Sequence, residues 1–293
     1  MEADLAGIDA PLVARWAHGR DGTPLRYVVA GAGPRVWVLP PGLGTPFVAW
    51  KRLIERFADE MTIVTWAGRG TYASGVPADL GRLRVEDHAD DLEAVVAAEG
   101  LERYALGGWS LAVQIALEHH HRHPGRATHL LLLNGAYEHI LKTALAPGLE
   151  PALRAYVRGL AFVGGPLRGP LSRATELGAK LLPRLGLARR DAPLLEATVR
   201  AFASLDWAVY FRMMGLVNEH SAAAYLDEVR LPTLITAGDA DRMTPLATAE
   251  AMHRRIPGSE LVVLPGGTHY TPVELPDELN DVIADFFARH PEV

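Results

Sequence analysis

Cysteine is absent from all 293 residues. That removes disulfides, thiolate nucleophiles and zinc–thiolate centres from consideration. Long apolar runs are also missing: no stretch approaches the ~20 consecutive apolar residues that a membrane helix needs. The start, Met1-Glu2-Ala3-Asp4, is acidic and lacks the apolar segment of a signal peptide. There is no basic excess, with 29 Lys and Arg against 35 Asp and Glu. The net charge of −6 gives no reason to expect nucleic acid or an anionic membrane as partner. Internal repeats and low-complexity segments are absent too. The expectation is a cytoplasmic protein whose partner is a small-molecule substrate. With 49% apolar residues, the chain can bury a full core.

Short apolar runs recur along the chain: Val36 to Leu39, Thr62 to Thr65, Tyr104 to Leu106, His129 to Leu133, Thr233 to Thr236 and Leu261 to Leu264. Most are continuous rather than alternating, as in strands of a parallel sheet buried on both faces. Between them the spacing predicts helices over Phe47–Ala58, Val85–Glu99, Leu111–Arg122, Pro245–Arg255 and Pro276–Arg289. Val13–Ala17 and Leu25–Ala30 flank Asp21-Gly22, a hairpin turn dipeptide. The fold class is therefore α/β, a mostly parallel sheet with an antiparallel N-terminal edge. From about Ala136 to Arg230 the alternation stops. Helical patterns run over Pro151–Phe162, Pro170–Leu182, Ala192–Leu205, Asp206–Leu216 and His220–Val229, and Gly164-Gly165-Pro166 and Gly169-Pro170 separate several of them. Residues 1–135 and 231–293 are expected to form the core, and residues 136–230 a helical cap inserted over one sheet edge.

Chemistry concentrates where runs end. Gly107-Gly108-Trp109-Ser110-Leu111-Ala112 hands a buried run over to a helix. Small residues at Gly108 and Ala112 let the backbone bend sharply and lift the Ser110 hydroxyl above the sheet edge. A nucleophile there needs a base, a group that orients the base, and oxyanion donors. The run ending at Gly238 releases two carboxylates, Asp239 and Asp241, and His269 follows the last run in a glycine-rich loop. Serine, aspartate and histidine thus appear in that order, each beyond the C-terminal end of a strand. That edge is where sites of open α/β sheets gather.

Gly108-Trp-Ser-Leu-Ala112, Gly238-Asp-Ala-Asp241 with Pro245, and His269 with Glu274 and Pro276 together resemble the α/β-hydrolase fold with a helical cap. The resemblance runs from about Leu25 to Arg289. Position by position it implies Ser110 as nucleophile, His269 as general base and then acid, and Asp241 as the orienting acid. Asp239 is the fallback for that acid and Glu138 a remoter option. It places the oxyanion donors at the amides of Leu43 and Leu111, with a register shift to Gly44 as the alternative for the first. No cofactor and no metal are implied. Two positions depart from the family pattern: Pro41 stands where a histidine is usual, and Ala67 where an aspartate precedes Arg69-Gly70.

Other features are weighed by their spacing. Trp207, Phe211 and Met214 recur at near-helical intervals, so Trp207 and Phe211, with Trp109 beside the serine, are candidate walls of a substrate pocket. In Glu118-His-His-His-Arg-His123, His119 and His123 can share a helix face. No carboxylate pattern completes a metal site there, and cationic side chains suit a helix C-terminus. The function expected is hydrolysis of a small, largely apolar ester, lactone or related carbonyl compound through an acyl-enzyme. The competing readings are a ligand-binding or regulatory protein without turnover, and a lyase or acyltransferase using the same three residues.

Overall fold

The computed structural model describes residues 5, 7–143, 150–165, 167–179, 181–189, 192 and 194–291. The acidic residues at 1–4 and Pro166 lie outside these, as do single positions within the expected 170–182 and 192–205 helices. Eight strands form one sheet: β1 Leu12–His18, β2 Pro24–Ala30, β3 Arg35–Leu39, β4 Met61–Trp66, β5 Tyr104–Trp109, β6 Ala127–Leu133, β7 Thr233–Gly238 and β8 Glu260–Leu264. Their spatial order is β1-β2-β4-β3-β5-β6-β7-β8. β1 and β2 pair antiparallel around the Asp21-Gly22 turn, β2 pairs antiparallel with β4, and every later pairing is parallel.

Alternation along the strands divides the core into two layers. Leu130 and Leu132 of β6 face one way, with Val38 and Leu106. Leu131 and Leu133 face the other, with Trp37, Leu39 and Ala105. Helices α2 (Val85–Ala98), α3 (Ala112–Arg122) and α8 (Leu246–Arg255) cover the first face, through residues such as Leu92, Val113 and Met252. Helices α1 (Lys51–Phe57) and α9 (Pro276–Arg289) cover the second, through Phe57, Ile283 and Phe286. A sheet covered on both faces is why its strands read as unbroken apolar runs.

Between β6 and β7 the chain forms α4 (Glu150–Val163), α5 (Arg168–Ala179), α6 (Leu195–Phe202) and α7 (Trp207–Val217). Asp206 caps α7 by accepting from the amides of Ala208 and Val209. Three expectations need correction. The 220–229 segment is a 3₁₀ turn, Ala223–Glu228, and the 47–58 helix opens with a 3₁₀ turn, Phe47–Trp50. Gly169-Pro170 is no separator but lies in the first turn of α5, where a proline has no helical hydrogen bond to lose. Strand character inside the insertion is limited, among the described residues, to one bridge between Glu138 and Ser221. No described helix is long and apolar enough to cross a membrane.

The Ala67-Gly-Arg69 loop is held by charge. Arg69, 1% exposed, binds both carboxylate oxygens of Asp91 on α2, reaches Asp21 in the β1–β2 turn, and donates to the Arg82 carbonyl. Arg69 is therefore a tether between the hairpin, this loop and α2. Beside it His88 is fully enclosed, and neither ring nitrogen meets a partner among the described residues. Burial, and then the Arg69 charge, pushes its pKa down to about 3.

His88 titrates near 6.5 when unfolded and only near 3 when folded. The unfolded chain therefore takes up protons first as pH falls, and stability present above pH 6.5 is lost progressively below it. We expect His88→Leu to flatten this acid loss, by roughly 3–5 kcal/mol at full development. Thermal melts at pH 7 and pH 5 check it. Equal pH slopes in both proteins would exclude His88 as the source.

Candidate active site

β3 lies at the point where the strand order reverses, with β4 on one side and β5 on the other. Sites of open α/β sheets form at such a crevice, outside the C-terminal ends of the strands. Here that crevice contains the Pro40–Thr45 loop after β3 and the Ser110 turn after β5. The turn depends on close backbone packing. A Cβ on Gly107, at φ +142, would lie 2.1 Å from the carbonyl oxygen of Leu131 on β6. On Gly108 it would lie 3.1 Å from both Ala112 Cβ and the Pro40 carbonyl. Ser110 itself has φ +64, a left-handed conformation that costs a side-chain-bearing residue energy. The two glycines are therefore a packing requirement of the strand, and the strained serine is the tip of the turn.

Three distant side chains converge at that tip. Ser110 Oγ lies 3.0 Å from His269 Nε2, and His269 Nδ1 lies 3.0 Å from Asp241 Oδ2. An ionised carboxylate only accepts, so Nδ1 carries the proton and Nε2 is left to accept from the serine hydroxyl. Asp241 also accepts from the amides of Met243 and Thr244, each at 2.8 Å, and from Thr244 Oγ1 at 2.7 Å. Burial works against its ionisation. The hydrogen bond and charge of His269 and the Thr244 donors outweigh that, and hold the carboxyl below the usual range. Such a chain can draw the proton from Ser110 without a metal or cofactor.

The alternative acids are placed elsewhere. Asp239 is exposed and accepts from the Gly266 amide at 2.7 Å. Glu138 accepts from Ser221 Oγ and pairs with Lys142. Neither has a hydrogen bond to His269.

Leu43 and Leu111 both line the cavity at Ser110, and neither amide donates to another described residue. Gly42 holds the first loop against the serine turn: a Cβ there would lie 2.9 Å from the Trp109 carbonyl and 3.6 Å from Ser110 Cβ. Two free amides beside a potential nucleophile are what a developing oxyanion requires.

Residues 36–275 match the α/β hydrolase fold family. The chain belongs to that family. Among relatives of this α/β-hydrolase-fold protein is the putative carbamate hydrolase RutD of Azorhizobium caulinodans. It is 25% identical over 274 residues, covering 92% of this chain and 97% of RutD. The polyketide synthase ThaQ of Burkholderia thailandensis is 30% identical over 247 residues, 82% of this chain. The match spans only 11% of ThaQ, so the chain corresponds to a small part of that protein. In three dimensions the enol-lactonase of Burkholderia xenovorans superposes with a TM-score of 0.77 at 20% identity, covering 94% of this chain and 100% of that one.

The cavity at Ser110 measures about 160 Å³ and is mostly apolar, with Phe202, Tyr210 and Met214 supplied by the inserted helices. The expected walls Trp207 and Phe211 do not line it. Trp207 is buried and donates to Ser172 Oγ, whereas Phe211 lines a separate cavity of about 410 Å³ between α4 and α7. All four positions fall within about 100° of one another around α7: Tyr210 and Met214 lie toward the edge of that arc that meets the serine cavity, and Phe211 lies on the opposite edge, toward α4. Trp109 does line the cavity, and it also braces the base, since its Nε1 donates to the His269 carbonyl at 2.7 Å.

The histidine run also needs correction. Packing of α2 against α3 brings Glu93 within 3.1 Å of His119 Nε2, so a carboxylate does join His119 and His123, all three within 4.8 Å. Arg126 already occupies the other oxygen of Glu93 at 3.3 Å. Burial pushes His119 down to about 4 and lowers His120, so neither serves as a cation for the helix terminus at neutral pH.

Sequence reasoning missed a group that fastens the site from below. Asn134, buried just after β6, accepts from Thr236 and Thr271 through Oδ1 and donates to the Thr268 carbonyl through Nδ2. Its own carbonyl lies 3.1 Å from Thr244 Oγ1, sharing that hydroxyl's proton with the nearer Asp241 carboxylate. One residue thus ties β7 and the histidine loop through its side chain and the aspartate loop through its carbonyl. Glu274, singled out by its motif, accepts from the amide and hydroxyl of Thr268 and from the Arg189 amide.

Proposed function

We propose that this protein is a serine hydrolase of a small, largely apolar and uncharged ester or lactone. Ser110 attacks the carbonyl carbon and His269 takes the hydroxyl proton. Asp241 stabilises the imidazolium, and the Leu43 and Leu111 amides hold the oxyanion. His269 then protonates the leaving alcohol, and an acyl-enzyme remains on Ser110. Water, deprotonated by His269, releases the acid. Residues 136–230 act as the cap that closes the apolar wall. The observation that carries this reading is the continuous chain Ser110 Oγ, His269 Nε2 and Nδ1, Asp241 Oδ2, with both links at 3.0 Å.

The lining narrows the substrate class. Apart from His269, no acidic or basic side chain among the described residues lines the cavity. A carboxylate or an anionic carbamate would be desolvated there without a counter-charge, which is strongly unfavourable. The name of the RutD relatives therefore transfers to this chain less well than an ester or lactone assignment. The test is a panel of neutral esters and lactones of graded chain length, with the acyl-enzyme trapped at low pH. Mass spectrometry should find the acyl mass on the peptide containing Ser110. Turnover of an ester with the acyl group on no residue would overturn the mechanism.

A further inference from the structure

The polar inventory of the same cavity carries a deeper reading, which rests on the hydrolase proposal. Thr244 is committed to Asp241 and Asn134, and Ser110 to His269. Tyr210, from α7, and Tyr270, beside the base, both line the cavity, and neither phenol has a hydrogen bond among the described residues. Neither oxygen is counted among the fully enclosed orphans, so each keeps access to the cavity space. Thr198, on α6, also lines the cavity, but its Oγ1 is enclosed and, unlike the phenols, not open to it. Thr45, in the loop after β3, lies beside Gly42 at the serine end of the cavity.

Polar groups in an apolar enclosure are normally paired, because leaving one unpaired costs about 1–3 kcal/mol. Two phenols open to one small cavity, and hydrogen-bonded to no described residue, are left available to a ligand that enters it. The second observation is electrostatic. Tyr210 is shifted upward by burial and then by Tyr270, and burial pushes Tyr270 up to about 12. Both stay protonated at neutral pH and present O–H donors rather than charges.

We propose that Tyr210 and Tyr270 form a hydrogen-bonding subsite for a second, neutral oxygen of the substrate, a hydroxyl or a carbonyl distinct from the scissile one. The substrate is then an oxygenated neutral ester or lactone, not a plain alkyl ester. The oxygen can belong to the acyl part or to the alcohol part, and two pairs of probes separate these. The acyl pair is p-nitrophenyl butanoate against p-nitrophenyl 3-hydroxybutanoate. The alcohol pair is butyl butanoate against 2-hydroxyethyl butanoate.

The wild type should favour the oxygenated member of one pair by about tenfold or more in kcat/KM, since a site that hydrogen-bonds an oxygen discriminates against the analogue lacking it. In Tyr210→Phe and Tyr270→Phe that ratio should fall at least about threefold, the value of one neutral hydrogen bond. Each change removes a single oxygen, and the two variants test the subsite from different elements. No preference in either pair by the wild type, or a ratio unchanged in both variants, would overturn the subsite. Hydrolysis of the plain esters in those cases would leave the serine mechanism standing, so the two failures are distinguishable.

Discussion

Ser110→Ala removes labelling by a fluorophosphonate probe and lowers ester hydrolysis by a factor of about 10³ to 10⁶, the range found when a nucleophile of this kind is deleted. The wild-type serine should label, because its hydroxyl lies 3.0 Å from His269 Nε2 and is part-exposed at the tip of the turn. An unreactive wild type would favour a ligand-binding protein without turnover. A companion variant separates chemistry from folding. The left-handed conformation of Ser110, φ +64, suits glycine and strains alanine and serine alike. Ser110→Gly should be as inactive as Ser110→Ala yet melt higher, by an amount reflecting about 1 kcal/mol of relieved strain less the entropy that glycine adds to the unfolded chain. A Ser110→Gly protein that melts below Ser110→Ala would show that the turn stores no usable strain.

Asp241→Asn slows hydrolysis by about 10³ to 10⁴. The loss is a matter of tautomer. The carboxylate can only accept, which keeps the His269 proton on Nδ1. An amide nitrogen in its place donates to Nδ1, moves the ring proton to Nε2, and leaves no acceptor for the serine hydroxyl. Asp239→Asn should change the rate less than about twofold, since Asn Oδ1 can still accept from the Gly266 amide and the position has no bond to His269. Steady-state kinetics of the two variants decide between them. A loss in Asp239→Asn comparable to that in Asp241→Asn would sink the assignment of the acid.

Both predictions concern residues that the linear pattern already indicated, and the reason lies in the fold class. In a sheet covered on both faces each strand is a continuous apolar run, and its C-terminal end is marked where the run stops. Ser110, Asp241 and His269 each follow such an end, so their shared edge could be inferred without coordinates. Other residues carry no such mark. Asn134 follows a run of four leucines and looks like an ordinary loop residue, yet its side chain joins β7 to the histidine loop and its carbonyl meets Thr244 of the aspartate loop. Glu93 lies on a different helix from His119, and only the packing of α2 on α3 places them together. The departures at Pro41 and Ala67 leave the Ser110–His269–Asp241 chain intact, and Arg69 keeps its tethers to Asp91 and Asp21.

The wall of the pocket shows the same boundary most sharply. Periodicity alone identified an apolar, aromatic helix over 206–216, because hydrophobic spacing is local information. Which flank of that helix meets the serine is set by its rotation against the sheet, and a turn of only about 60°, the offset between positions i and i+3, separates Trp207 and Phe211 from Tyr210 and Met214. From its order of residues the chain determined the sheet, the helices between β6 and β7, and the positions of Ser110, Asp241 and His269 at one sheet edge. The neutrality of the cavity, its two open phenols and the asparagine beneath the loops were decided only in three dimensions, because they depend on which surfaces of separate elements touch.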